Sequence, residues 1–159
     1  MTTNASNALR IEPLDPGHVD ACETIARSLP AWFGLEAGLA ALRRSLERGP
    51  GYVARAGDNL SVFVTIDVPF PETWEIAWMA VDRNRHRRGV GRALVEHVAA
   101  EARAAGTRVL HVKTLADLHP SPEYAQTRAF YKAMGFLRLI VIPELWDPAN
   151  PCLLMVKPL

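Results

Sequence analysis

Apolar residues recur along this chain at two alternating spacings, and nearly every change of spacing is marked by proline or glycine. After a small polar stretch, Met1 to Asn7, expected to be a frayed or disordered tail, Leu9, Ile11 and Pro13 make a short alternating strand. Asp15-Pro16 then signals a helix start, with Asp as N-cap and Pro in the first helical position. Val19, Cys22, Ile25, Ala26 and Leu29 follow at helical spacing until Pro30 stops the run. A second helix carries Leu35, Leu39, Leu42 and Leu46 on one face and breaks at Gly49-Pro50-Gly51. Two β-rich runs, Tyr52 to Ala56 and Leu60 to Val68, are joined by Gly57-Asp58-Asn59 and read as a hairpin. Thr73 to Val81 has apolar residues on both faces, the pattern of a central covered strand.

From Gly89 to Ala105 the apolar positions Val90, Leu94, Val98 and Ala102 keep a four-residue step, and Gly106 supplies the stop. Val109 to Leu115 is a strand, and Ser121-Pro122 resets the chain for a helix over Tyr124 to Met134 that Gly135 ends. Phe136 to Ile142 is a further strand. The proline-bearing stretch Pro143 to Pro151 is expected to be a loop leading to a closing strand, Cys152 to Lys157. The order β-α-α-β-β-β-α-β-α-β-β predicts an α/β chain with a mixed sheet covered on both faces. With 159 residues, 49% of them hydrophobic, one domain over the whole chain can bury a core without metals or disulfides.

Charge changes the picture at one place. The formal net charge is only +1, yet Arg83, Arg85, Arg87, Arg88 and Arg92 crowd around Gly89-Val90-Gly91 where a helix opens. A glycine pair there leaves backbone N–H groups bare at the positive end of the helix dipole, so the stretch is a site for an anion with several close charges, such as a pyrophosphate. The stretch is not a nucleotide-hydrolase phosphate loop, because GxxxxGK[ST] is absent, nor a dinucleotide fingerprint, because the third glycine position is Leu94. A solvated basic turn without a ligand is the plain alternative. The near-neutral total charge and the lack of a basic strand interleaved with aromatics argue against a nucleic-acid module.

Cys22 and Cys152 have no ligand or disulfide spacing and are expected to be buried reduced thiols, with no metal site. No signal-like start or membrane-length apolar run is present, so a soluble cytoplasmic protein is expected, with no membrane partner. Glu75 is the anomaly of its strand: a carboxylate there either reaches water at the sheet's end or serves a cleft. Trp32 and Phe33, in the loop between the first two helices, either pack on the core or line a pocket. His18 and His97 are placed on exposed or peripheral helix faces.

Two motifs in order carry a resemblance. His86-Arg87-Arg88-Gly89-Val90-Gly91 follows a strand ending in Val81, and Phe130-Tyr131 through Gly135-Phe136 closes a later helix. Together, over about Thr73 to Phe136, they resemble the GNAT superfamily of acyl-CoA-dependent N-acetyltransferases. His86 stands where that family usually has Arg or Gln, and Tyr124 stands where many members have Asn. The resemblance implies a GNAT-like fold, a mostly antiparallel central sheet flanked by helices. It also implies an enzyme moving an acetyl group from acetyl-CoA to a primary amine of a small molecule by direct attack on the thioester.

The implied cofactor contacts are His86, Arg87, Arg88, Gly89, Val90, Gly91 and Arg92 for the pyrophosphate, the strand with Met79 and Val81 for the arm, and Tyr124 and Tyr131. Backbone N–H groups from Met79 to Val81 would serve the oxyanion, and Tyr131 would protonate the departing thiolate. An alkylamine with a pKa of about 10 needs a base, for which Glu75 is the candidate and His111 and His119 are rivals. The resemblance puts Trp32, Phe33, Glu75 and Trp146 around the acceptor. Acetylation of a peptide or protein amine, and a non-catalytic CoA or polyanion-binding module, are the alternatives, and a homodimer is compatible with the sequence.

Overall fold

The computed structural model describes residues 8–159; the polar stretch Met1–Asn7, expected to be frayed, lies outside the described residues. The elements are β1 (Leu9–Pro13), α1 (Val19–Arg27), α2 (Glu36–Arg48), β2 (Gly51–Ala56), β3 (Asn59–Phe70), β4 (Thr73–Val81), α3 (Val90–Ala104), β5 (Val109–Leu115), α4 (Pro122–Ala133), β6 (Leu137–Asp147) and β7 (Asn150–Pro158). The strands hydrogen-bond in the order β1-β2-β3-β4-β5-β7-β6 as one seven-stranded sheet. Pairs β1–β2, β2–β3, β5–β7 and β6–β7 are antiparallel and β4–β5 is parallel, the mixed and mostly antiparallel arrangement expected.

Contacts divide the chain into two compact units: residues up to Ile66 with Trp78–Val98, and Asp67–Ala77 with Ala99–Leu159. In the first, the apolar faces of α1 and α2 meet β2, β3 and the end of β4. Cys22, Ala26, Leu42, Val53 and Phe63 have no exposed surface there. Burial pushes the Cys22 thiol up to about 12, so it behaves as a small apolar side chain. In the second unit Leu110, Val112, Leu153 and Met155 on neighbouring strands share one buried face. Cys152 is also a buried free thiol.

Three expectations change. Asp15-Pro16 opens a single 3-10 turn, Pro16–His18, and α1 begins only at Val19. His18, expected on an exposed or peripheral helix face, is buried, because it closes a capping box. The Asp15 amide donates to its Nδ1 (3.1 Å) and its Nε2 donates to Glu12 Oε1 (3.1 Å), which turns the ring back onto the chain. Finally, β6 does not stop at Ile142 but runs through Pro143 to Asp147. Proline is tolerated because β6 ends the sheet order and its register slips between Ile142 and Asp147, so no ladder bond needs the missing N–H.

Candidate active site

In the first unit the organising feature is the segment from Val81 to Arg92. Asp82 caps a 3-10 turn over Arg83–Arg85 by accepting from the Asn84 amide (2.8 Å). Arg87 and Gly89 then take left-handed conformations, with φ of 60° and 76°. Two such residues in three turn the chain sharply into α3, whose first bond runs from the Ala93 amide to the Gly89 carbonyl (3.0 Å). Gly89 therefore sits at the N-cap with no side chain to satisfy the first-turn amides, and no acidic side chain occupies that turn. A Cβ added to Gly89 would meet nothing within 4 Å, so the space in front of the turn is open. Arg87, Arg88 and Arg92 are exposed around it, with Arg92 3.6 Å from Glu96.

His86 is built into the same unit. Its Nε2 donates to the Val81 carbonyl (2.8 Å) and its ring meets Trp32 edge-on, 6.1 Å between centroids. Arg83 reaches back to the Ser28 carbonyl (3.0 Å), so the loop carrying Trp32 and Phe33 is fastened to the turn at two points. Phe33 lies against Trp78 at 6.2 Å, and both pack on the core with Trp32. Strand alternation puts Met79 and Val81 on the face of β4 opposite Trp78 and the buried Ala80. A cavity of about 530 Å³ is lined by Thr24, Ile25, Leu60, Asp82 and Arg85 among others, and by neither glycine of the turn.

The second unit holds the titratable candidates. Glu75 pairs in register with His111 across the parallel β4–β5 ladder, which covers Thr73 to Ile76. Lys113, two residues on and so on the same face, places Nζ 3.1 Å from the Glu75 carboxylate. Two rivals for the base thus stand side by side. Burial lowers the His111 pKa, Glu75 opposes that and Lys113 adds to it, so the ring is neutral at pH 7 and free to accept a proton. His119 stands apart: its Nδ1 accepts from the Ser121 amide (3.2 Å) in the loop that enters α4.

On α4, Tyr124, Arg128 and Tyr131 share a face at helical spacing. Arg128 ties the helix to the end of β5 by donating to the Leu115 carbonyl (2.7 Å). Gly135, at φ 88°, ends the helix, with the Phe136 amide bonding the Tyr131 carbonyl (3.0 Å) and the Gly135 amide bonding that of Lys132 (3.0 Å). This stop folds Phe136 back against Tyr131, whose ring stands between Phe130 and Phe136 at 5.2 Å from each. Burial raises the phenol pKa of Tyr131 far above its ordinary value and raises that of Tyr124 as well. Trp146, expected in a loop, is a half-exposed residue of the irregular end of β6.

Sequence reasoning missed Lys113 and Arg128, and it counted Arg83 among the arginines around the glycine turn, whereas that side chain reaches back to the Ser28 carbonyl. The two-residue spacing of His111 and Lys113 hinted at a shared face, but nothing local pointed to Glu75 as the lysine's partner. Among the described residues no three or more His, Cys, Asp or Glu side chains gather as a metal site, and no helix is long and apolar enough to cross a membrane.

Residues 20–136 match the family model for the acetyltransferase (GNAT) family. No curated protein matches the chain by sequence. Among solved structures, a GNAT-family protein of Desulfovibrio desulfuricans is similar with a TM-score of 0.82 and 19% identity, covering 95% of this chain and 99% of that one. The ribosomal-protein-S18-alanine N-acetyltransferase of Escherichia coli gives 0.77 and 20%, covering 95% and 94%. An aminoglycoside 6'-N-acetyltransferase complexed with coenzyme A gives 0.74 and 17%, covering 94% and 96%. At such identities the likeness to these structures is one of fold.

Proposed function

Since this chain belongs to the GNAT acetyltransferase family and is an acetyl-CoA-dependent N-acetyltransferase, we propose that its acceptor is a primary amine of a small molecule, which attacks the thioester directly. The observation that carries the cofactor half of this reading is the turn before α3. A glycine N-cap at positive φ, uncapped first-turn amides and exposed arginines suit a pyrophosphate, and the open space at Gly89 admits its close approach. Arg87 to Arg92 would hold the phosphates, and His86 would order the turn by its bond to the Val81 carbonyl. The arm would lie along β4 beyond its pairing with β5, toward Val81, where backbone N–H groups from Met79 to Val81 can meet the oxyanion. Tyr124 contributes bulk beside the arm in place of an amide.

Proton traffic falls to the second unit. Glu75, directly or through water, takes a proton from the ammonium form of the amine, and Tyr131 donates to the sulfur as it leaves. Glu75 lies six residues before Val81, about 20 Å along an extended strand, so its role requires the reacting end of the arm to run back along β4 or a water relay. Glu75→Gln is expected to lower kcat/KM about tenfold at neutral pH and to abolish the acidic limb of the profile, acetyl-CoA affinity being retained. A limb owned by His111 behaves otherwise. Because the Glu75 charge raises the His111 pKa, its removal would move such a limb to lower pH without abolishing it. The two outcomes are told apart by kcat/KM profiles with an amine whose own ionisation is corrected for.

The acceptor is tested by a panel of primary amines, amino sugars and N-terminal peptides assayed for CoA release from acetyl-CoA. Turnover of small amines with none of peptides is the expected result. Preference for the peptides would make a protein amine the substrate.

A further inference from the structure

The Glu75–His111–Lys113 group stands on a sheet face of the second unit where the adjoining positions of β7 and β6 are aliphatic. Register defines the face. One row across four strands reads Glu75, His111, Val156, Leu137, and the next reads Lys113, Leu154, Ile140. Residues directly opposite in a ladder point to the same side. The reverse face of the same strands, with Leu110, Val112, Leu153 and Met155, is buried, whereas on this one Leu137 is 61% and Ile140 54% exposed, and Leu154 and Val156 are half-buried. Aliphatic side chains at four adjoining positions, the two on β6 exposed and the two on β7 half-buried, begin one strand from the candidate proton acceptor and form a platform for carbon. Its charge is balanced. The one carboxylate in these rows is held by the one ammonium, at 3.1 Å.

Resting on the reading of Glu75 or His111 as the base, we propose that this platform carries the body of the acceptor, and that the acceptor is therefore a monoamine with an apolar skeleton and not a polycation. A second and third ammonium would find no free carboxylate in these rows, and laying them on Leu154 and Ile140 would strip their water without replacement. An alkyl or aryl body instead removes aliphatic surface from water on both sides of the contact. From β5 to β6 the platform spans two strand spacings, about 10 Å, which suits an amine carrying a phenyl ring or a chain of about six carbons.

Two measurements test it. Acetyl transfer to ethylamine, butylamine, hexylamine and 2-phenylethylamine should show KM falling about twofold for each methylene that reaches the platform, with kcat little changed, while putrescine and spermidine stay at least tenfold less efficient than hexylamine. Ile140→Asp, at an exposed position of β6, should raise KM for 2-phenylethylamine about tenfold and flatten the chain-length trend, with acetyl-CoA affinity by calorimetry retained as the check on folding. Direct binding of 2-phenylethylamine, followed by NMR in wild type and variant, separates this proposal from the reading it rests on. Binding that Ile140→Asp weakens, without turnover of any amine, supports the platform and removes the assigned base. Turnover that favours polycations, an Ile140→Asp enzyme with unchanged KM, or no binding of the arylamine overturns the platform and leaves the acetyltransferase intact. So does a wild-type dimer in light scattering that Ile140→Asp dissociates, since the face would then be a subunit contact.

Discussion

Gly89→Val is expected to raise the dissociation constant for acetyl-CoA by two orders of magnitude or more, with secondary structure retained. Gly89 holds φ at 76°, a conformation that a β-branched side chain avoids, and forcing valine into it costs about 1–2 kcal/mol before any ligand is considered. The turn would relax toward negative φ and swing the first-turn amides of α3 away from a common point. Charge-assisted hydrogen bonds to an anion contribute about 1.5–3 kcal/mol each, so losing two of them corresponds to a hundredfold or more. The valine side chain would also fill the open space in front of the turn, where nothing lies within 4 Å of a Cβ. Gly89→Ala, with the smaller penalty, should fall between the two. Calorimetric titration with acetyl-CoA, beside circular dichroism and a thermal midpoint, measures the effect; unchanged affinity in a folded valine variant would sink the phosphate assignment.

Tyr131→Phe is expected to lower the acyl-transfer rate about ten- to a few hundredfold while acetyl-CoA affinity stays within about twofold. The ring is buried between Phe130 and Phe136, so phenylalanine fits the same space and packing is preserved. A tyrosine that only filled space would therefore show no change in rate. Burial holds the phenol neutral at every working pH, because the anion would lose its hydration. Tyr131 can thus donate to a thiolate as the C–S bond breaks, and it contributes no descending limb to the pH–rate profile up to about pH 10, the ordinary tyrosine value. From so weak an acid the donation would be a hydrogen bond to the developing thiolate, since a phenol with a raised pKa is a weaker acid than the departing thiol. Single-turnover measurements with saturating amine isolate this step from product release. Wild-type turnover in Tyr131→Phe, with chemistry rate-limiting, would return the residue to packing.

Both residues stand in motifs that are legible because their geometry is local. Gly89 and Gly91 announce a sharp entry into a helix, Val90, Leu94, Val98 and Ala102 give that helix its period, and Tyr131 keeps a fixed spacing from the glycine that stops α4. Each depends on backbone preference within a few residues, and in the structure each element lies within a residue or two of where the pattern puts it. The pattern failed where a local signal had two meanings. Pro143 reads as a strand breaker, yet on the last strand of the sheet it removes no needed donor and β6 continues. His18 reads as a surface histidine, yet its ring completes a capping box and is buried.

What the sequence by itself determined is the order of elements and the sharp glycine turn into α3, which rest on periods and conformational preferences read along the chain, and the family, which rests on the resemblance carried by two local motifs. The surroundings of Glu75, the proposed base, were decided only by tertiary structure. Glu75 and Lys113 are separated by 38 positions, and no local preference encodes that they meet. Their pairing, the place of His111 opposite Glu75 and the aliphatic rows beside them all follow from the register in which β4, β5, β7 and β6 are joined. A slip of one residue would send every one of those side chains to the other face of the sheet, and that register is fixed by the packing of the buried face opposite, through contacts between distant segments that no window of sequence contains.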